Sequence, residues 1–219
     1  MNNNQSLTGK VIAATPELSG FDADTVITSE TAAAFKNNGY AFCARYLSLG
    51  AGQNPGDLSN AEAAGILQSG LALVAVQHVN AYGWQPTAAL GITHGSNAAS
   101  NAQSIGLPQG MNLWCDLEGV ATGTAAQQVI DYCSAWYNAV YEAGYVPGLY
   151  VGPLAVLTGQ QLYDLPFQHY WKSASHVPDV PVRGYQLIQG LTATVLGIGI
   201  DPDTTQDDAE GGAVLWVVG

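Results

Sequence analysis

Two acidic residues end an apolar segment of this sequence, LWCDLEG at residues 113–119. Strand side chains alternate between faces, so Asp116 and Glu118 would point the same way, about two rises of 3.3 Å apart. Two ionised carboxylates in one partly desolvated pocket repel each other, which raises the pKa of at least one. A protonated acid beside an ionised partner is what glycoside cleavage requires. Taken alone, the motif is also typical of acids that cap a following helix.

Two further acids follow or end apolar segments near the ends of the chain. Asp22 lies in GFDAD at residues 20–24, and Asp201 lies in GIDPD at residues 199–203. If the first and last strands of a closed barrel carry them, three strand ends deliver acids to the carboxyl-end face, where barrel enzymes place their sites. Asp24 and Asp203 are interpreted as loop or capping acids.

The elements that would position these acids alternate between strand-like and helix-like runs, which predicts a parallel sheet. The eight predicted strands lie around residues 20–24, 41–48, 71–79, 112–119, 146–152, 167–174, 184–190 and 197–201. The predicted helices lie near residues 28–38, 59–70, 96–105 and 124–144, with capping boxes at Ser59–Glu62 and Thr124–Gln127. The pattern predicts one α/β domain, a (β/α)8-type TIM barrel over residues 19–219, preceded by an extension at residues 1–18.

Several of these segments together resemble a known family: GFDAD, AFCARYLS, LWCDLEG, GYQLIQ and GIDPDTTQ. They are similar to the glycoside-hydrolase-like barrels of domain-of-unknown-function family 1906, which resemble the family-25 glycoside hydrolases (lysozymes or muramidases). The resemblance runs from about residue 20 to the end of the sequence. It implies a family-25 lysozyme-like barrel that hydrolyses β-1,4 glycosidic bonds in peptidoglycan or a related amino-sugar glycan.

The same resemblance implies a role for each of four acids. Asp22, Asp116, Glu118 and Asp201 match the acids of family 25 in order. Glu118 would be the general acid/base, and Asp116 would orient the substrate's 2-acetamido group or stabilise the positive centre. Asp22 and Asp201 would complete the acidic floor of the site. The stereochemical course and the identity of the nucleophile stay open, and so does the alternative of a catalytically silent glycan-binding barrel.

Aromatic and amide side chains near the predicted strand ends would bind sugar rings and hydroxyls. Trp84, in the loop after the third strand, is predicted to be a more exposed stacking residue. The histidines His78, His94, His169 and His176 show no metal-binding spacing, so we expect no metal and no cofactor. The cysteines Cys43, Cys115 and Cys133 form no CxxC pair, and the first two are expected to be buried free thiols. The candidate substrate-binding residues are Tyr46, Gln77, Tyr150, Trp171 and Gln189.

The excess of acidic over basic residues limits the classes of molecule that the protein is expected to bind. Seventeen acidic against five basic residues give a formal net charge of −12. The bases are scattered singly, so the sequence predicts neither nucleic-acid binding nor attachment to an anionic membrane. The negative charge favours the binding-module alternative somewhat, because a basic surface helps wall-degrading enzymes to adhere to anionic polymer. The sequence shows no secretory signal and no apolar membrane segment. We therefore expect non-classical export, with action outside the cell or at the cell wall. We also expect the protein to be a monomer.

Overall fold

The structure, a computed structural model, describes residues 6–219. Residues 1–5, part of the predicted extension, lie outside the described residues. The helices are α1 (Ser29–Asn37), α2 (Asn60–Gln68), α3 (Ala88–Ser104), α4 (Ala126–Glu142) and α5 (Gly159–Tyr163). The strands are β1 (Lys10–Ala13), β2 (Ser19–Asp22), β3 (Phe42–Leu47), β4 (Ala72–Gln77), β5 (Asn112–Leu117), β6 (Val146–Val151), β7 (His169–Lys172), β8 (Leu187–Gln189), β9 (Ala193–Val195), β10 (Ile198–Thr205) and β11 (Leu215–Val218).

Eight of the strands close into a barrel. The parallel series β2 to β8 pairs each strand with the next, and β10 completes the ring between β8 and β2. β1 pairs with β11, which touches β4 through one antiparallel residue pair, Val217 with Leu73. Within residues 6–219, none of the helices has the length and apolar character required to cross a membrane.

The closing strand corrects the (β/α)8 prediction. β10 is antiparallel to both of its barrel neighbours. β8 ends at Gln189 and β10 begins at Ile198, a connection too short for the dozen or more residues of a parallel crossover. The short strand β9 pairs with the first part of β10 instead. Asp201 therefore does not end a parallel strand; it lies within β10, directly opposite Asp22.

Alternation along the strands separates the barrel interior from the outer layer. In β3, Phe42 and Ala44 belong to the cluster inside the barrel, whereas Cys43 and Leu47 belong to the larger cluster beneath the helices. Trp216 of β11 packs against Phe42, with ring centroids 5.1 Å apart. The amino end of the barrel is thus filled by apolar side chains, which leaves the carboxyl end as the open mouth.

The helix starts follow the predicted capping only in part. Ser59 Oγ accepts from the backbone N–H of Glu62 as predicted. The Glu62 carboxylate does not return to the helix start; it accepts from Arg45 Nε at 2.6 Å and from the Ile27 N–H at 2.8 Å. The Glu62 carboxylate pairs with Arg45 instead of capping the helix, because a buried guanidinium without a partner costs more free energy than an exposed backbone N–H without one.

Two other predictions about the helices were inexact. The cap of α4 is Ala125, one residue later than predicted, and Gln128 Oε1 accepts from its N–H at 3.3 Å. α3 is much longer than the predicted segment at residues 96–105. Its glycines allow close contact with α4, since a Cβ at Gly91 would lie 2.3 Å from the carbonyl oxygen of Tyr132. All three cysteines are free and buried, which confirms the expectation for Cys43 and Cys115.

Candidate active site

The four predicted acids meet at the mouth of the barrel. Asp22 ends β2, Asp116 lies in β5, Glu118 follows β5 and Asp201 lies in β10. Two cavities there, of about 200 and 270 Å³, share Tyr46 and Asp201. The smaller is lined by Tyr46, Val76, Asp116, Glu118, Tyr150, Trp171, Gln189 and Asp201. The larger is lined by Asp22, Ala23, Asp24, Tyr46, Thr192, Gly199, Ile200 and Asp201.

Asp22 is a buried carboxylate held by two donors. Tyr46 Oη donates to its Oδ1 at 3.0 Å, and Gln189 Nε2 donates to its Oδ2 at 2.9 Å. Burial nevertheless raises the pKa of Asp22 to about 6; Asp201 adds to the rise, while the hydrogen bonds oppose it. The Asp22 side chain is therefore fixed in direction, and its charge is costly to maintain.

Asp116 and Glu118 both point into the mouth, as their spacing predicted. Burial raises the pKa of Glu118, and the charge of Asp201 raises it further. Burial is thus a larger cause of this raised pKa than the neighbouring acids are. Burial raises the pKa of Asp116 well above its usual range, with added repulsion from Glu118 and Asp22. Asp116 Oδ1 is buried without a hydrogen-bond partner among residues 6–219, and the residue lines the smaller cavity.

The backbone around Glu118 is tied to the neighbouring loops. Trp84 Nε1 donates to the carbonyl oxygen of Glu118 at 2.8 Å, and the Gly119 N–H donates to Pro153 at 2.9 Å. A Cβ at Gly152 would lie 2.3 Å from Glu118 Oε2, so only glycine leaves room for this carboxylate. Trp84 is 8% exposed, which corrects its prediction as an exposed stacking residue: its indole supports Glu118 from behind.

The position of Asp203 shows that its interpretation as a loop or capping acid was wrong. It lies on the same face of β10 as Asp201 and is buried inside the barrel. Trp171 Nε1 donates to its Oδ1 at 2.9 Å, and its Oδ2 is buried without a partner among the described residues. Burial raises its pKa well above the usual range, and Asp22 contributes repulsion. The signal was present in the two-residue spacing from Asp201, which places both acids on one face.

Four of the five predicted substrate-binding residues line the smaller cavity: Tyr46, Tyr150, Trp171 and Gln189. Gln189 organises the group, since its Oε1 accepts from Tyr150 Oη at 3.0 Å and its Nε2 also approaches Asp201 Oδ2 at 3.3 Å. Trp171 is only 1% exposed. It therefore forms the floor beneath Tyr150, with ring centroids 5.2 Å apart in an edge-to-face arrangement.

Gln77 does not belong to the mouth. Its odd position in β4 turns the side chain outward, toward the helices. There its Oε1 accepts from Trp136 Nε1 at 2.8 Å, and its Nε2 donates to the His94 carbonyl at 2.8 Å. The rim instead presents Tyr82, which is 81% exposed and lies beside Gly119. Sequence reasoning missed Tyr82 because periodicity gives no direction to a loop side chain.

The model of the Rv2525c-like, glycoside hydrolase-like domain family matches residues 33–204. The chain belongs to this family. The resemblance inferred from the sequence motifs is thereby confirmed. No curated protein sequence matches the chain.

Solved structures share the fold at low sequence identity. An uncharacterized protein of B. stearothermophilus is 21% identical with a TM-score of 0.66, covering 86% of this chain and 96% of the other. The Tat-secreted protein Rv2525c of Mycobacterium tuberculosis, in complex with L-tartrate, is 15% identical with a TM-score of 0.64, over 88% and 96%. The catalytic domain of the endolysin ply40, from bacteriophage P40 of Listeria monocytogenes, is 14% identical with a TM-score of 0.59, over 88% and 95%.

Proposed function

We propose that this protein is a glycoside hydrolase that cleaves β-1,4 bonds in peptidoglycan or a related amino-sugar glycan. The observation that carries the proposal is Glu118, a half-buried acid whose raised pKa keeps a proton available at the mouth of an acidic cavity. Glycoside cleavage needs such a proton for the leaving oxygen and negative charge near the oxocarbenium-like centre. The family and the endolysin fold support the same reaction class.

Each acid has a distinct role in this proposal. Glu118 delivers and recovers the proton as general acid/base. Asp116, which lines the smaller cavity, orients the 2-acetamido group or stabilises the developing positive centre. Asp22 and Asp201 supply negative charge across the larger cavity, and Gln189 holds both in place. Asp203 anchors the Trp171 floor rather than the sugar.

The glycan contacts come from the cavity lining and the exposed rim. Tyr46, Tyr150 and Gln189 present hydroxyl and amide groups to sugar hydroxyls. Tyr82 provides an exposed ring beside the Glu118 loop, on which a sugar face stacks. Rv2525c is Tat-secreted, which supports the proposal that this chain acts outside the cytoplasm, at or near the cell wall. The proposal takes the protein as a monomer.

The test is product analysis on purified peptidoglycan. The wild-type protein is incubated with sacculi across the acid to neutral range, new reducing ends are counted, and released muropeptides are sequenced by mass spectrometry. The proposal predicts fragments ending in N-acetylmuramic acid, absent with Glu118→Gln and present with Glu142→Gln, an exposed glutamate at the end of α4. No new reducing ends at any pH would contradict it.

The net charge of −12 favours a second function, recognition of glycan without cleavage. An acidic surface is repelled by anionic wall polymers, which disfavours the processive adhesion of a wall-degrading enzyme. Oligosaccharide affinity measured by calorimetry separates the two functions. A binding module would hold oligosaccharides equally well with and without the Glu118 carboxyl group and would never release a product.

A further inference from the structure

Three potential metal ligands converge beside the acidic mouth, at the carboxyl ends of three neighbouring strands. Asp24 lies two residues after β2, Asp57 lies in the loop between β3 and α2, and His78 directly follows β4. One ligand atom from each of the three lies within 4.8 Å of the others. Because β2, β3 and β4 are adjacent parallel strands, their following loops meet at one point of the rim.

One of the two distances from His78 is that of a hydrogen bond, and the other is longer. His78 Nε2 is 2.9 Å from Asp57 Oδ1 and 3.8 Å from Asp24 Oδ1. A ring nitrogen carries at most one proton, and 3.8 Å is too long for a hydrogen bond. His78 thus hydrogen-bonds to Asp57, and Asp24 Oδ1 lies near the same nitrogen without a direct bond to it. A tetrahedral ion with bonds of about 2.0–2.1 Å separates its ligand atoms by about 3.3–3.4 Å, and the two observed distances lie on either side of that value.

Two of the three side chains are held in place by neighbouring residues. The His78 ring stacks on Tyr46, with centroids 4.4 Å apart and planes inclined by 15°. Ser48 Oγ donates to Oδ2 of Asp57, and Oδ1 of Asp57 faces His78 Nε2. The Asp57 side chain is 10% exposed and that of Asp24 is 84% exposed. This gives a supported inner side and an open outer side, as in metal sites whose ligands are oriented by surrounding groups.

We propose that Asp24, Asp57 and His78 bind a divalent transition metal ion of the zinc type, with the remaining coordination position open to water. One imidazole and two carboxylates suit such an ion better than Mg²⁺ or Ca²⁺, which favour oxygen ligands alone. The ion joins three rim loops next to Tyr46, whose hydroxyl holds Asp22. The expectation of no metal came from spacing along the chain, which cannot detect ligands delivered by three separate loops.

Calorimetric titration of the chelator-treated protein with ZnCl₂ tests this site. The variants are His78→Ala, Asp57→Asn and Asp24→Asn, and the matched control is His176→Ala, an exposed histidine in the loop after β7. We expect one Zn²⁺ per chain, an affinity at least tenfold weaker in each site variant, and no change in the control. Asp24→Asn alters an exposed side chain, so it tests the site even if another variant folds poorly.

A second variant distinguishes this site from the acidic mouth. Glu118→Gln should bind Zn²⁺ as the wild type does, and Zn²⁺ should raise Tm in both. Three results would overturn the proposal: no Zn²⁺ binding at millimolar concentration, unchanged affinity in Asp24→Asn and His78→Ala, or loss of binding in Glu118→Gln alone. The last would place the ion among the carboxylates of the mouth.

Discussion

The two ends of the barrel interior are built from opposite kinds of side chain. At the amino end, Phe42, Ala72 and Trp216 form a dry apolar cluster. At the carboxyl end, Asp22, Asp116 and their neighbours place several carboxylates in a small, partly buried space, where burial raises their pKa values. The amino end stabilises the fold, whereas the mouth lowers stability in exchange for chemistry. Substitutions at the two ends should therefore change different properties, stability at the amino end and activity at the mouth.

The largest expected effect is the loss of the proposed turnover when the mouth loses Glu118, its proposed proton donor. Glu118→Gln removes the ionisable group and keeps its size, so activity on peptidoglycan should fall by about 10²–10⁴-fold with little change in Tm. Activity of the wild type should also fall on the alkaline side, as the raised pKa of Glu118 is passed. Initial rates across pH check both. A variant that retains its rate would remove Glu118 from the mechanism.

The apolar end should respond in the opposite way. Phe42 is fully buried and packs against Trp216, so Phe42→Ala should lower the free energy of unfolding by about 3–5 kcal/mol. Chemical denaturation measures this. At a temperature where the variant remains folded, its kcat should stay close to that of the wild type. A large loss of kcat in fully folded protein would show that the two ends are not separate.

Asp22 should make the free energy of unfolding depend on pH. Its pKa is about 6 in the fold and about 3.9 in an unfolded chain, so the folded state binds more protons between these values. Stability of the wild type should therefore fall as pH rises from about 4 to about 6. Asp22→Asn should show a smaller fall, with a gap of up to about 3 kcal/mol at neutral pH.

The exposed Asp207 provides the control for that measurement. Asp207→Asn should leave the pH dependence of unfolding unchanged, because an exposed carboxyl gains little from losing its charge. Denaturation curves at several pH values compare the three proteins. If Asp22→Asn instead becomes relatively less stable as pH rises, the Asp22 charge stabilises the fold and the contrast between the two ends fails.

The smallest expected effect comes from crowding Glu118. A methyl group at Gly152 would meet Glu118 Oε2, so Gly152→Ala should displace this carboxylate and lower kcat by about tenfold, consistent with the cost of misplacing a catalytic group. Gly50→Ala is the matched control, because a Cβ there meets nothing within 4 Å and the residue lines neither cavity. Equal kinetics in the two variants would mean that the position of Glu118 is not critical.

Prediction from the sequence worked best where the alternation of side chains along a single strand determined the position of a residue. The two-residue spacing of Asp116 and Glu118 correctly placed both in the mouth, and the eight barrel strands lie where the apolar runs indicated. Prediction failed where the position of a residue depended on the direction in which a later strand joins the barrel. The antiparallel course of β10 moved Asp201 from a strand end to a position opposite Asp22. Gln77 was assigned to the wrong face of β4, and Trp84 was predicted exposed although its indole donates to Glu118.

The most direct test of the account is a titration of the Glu118 carboxyl carbon by NMR in selectively labelled protein. The account predicts an apparent pKa above the ordinary glutamate value of about 4.3, because burial and the charge of Asp201 both disfavour ionisation. In Asp201→Asn the pKa should fall but remain raised, since burial is the larger cause. A Glu118 that titrates at or below the ordinary value would contradict its role as the proton donor of the mouth.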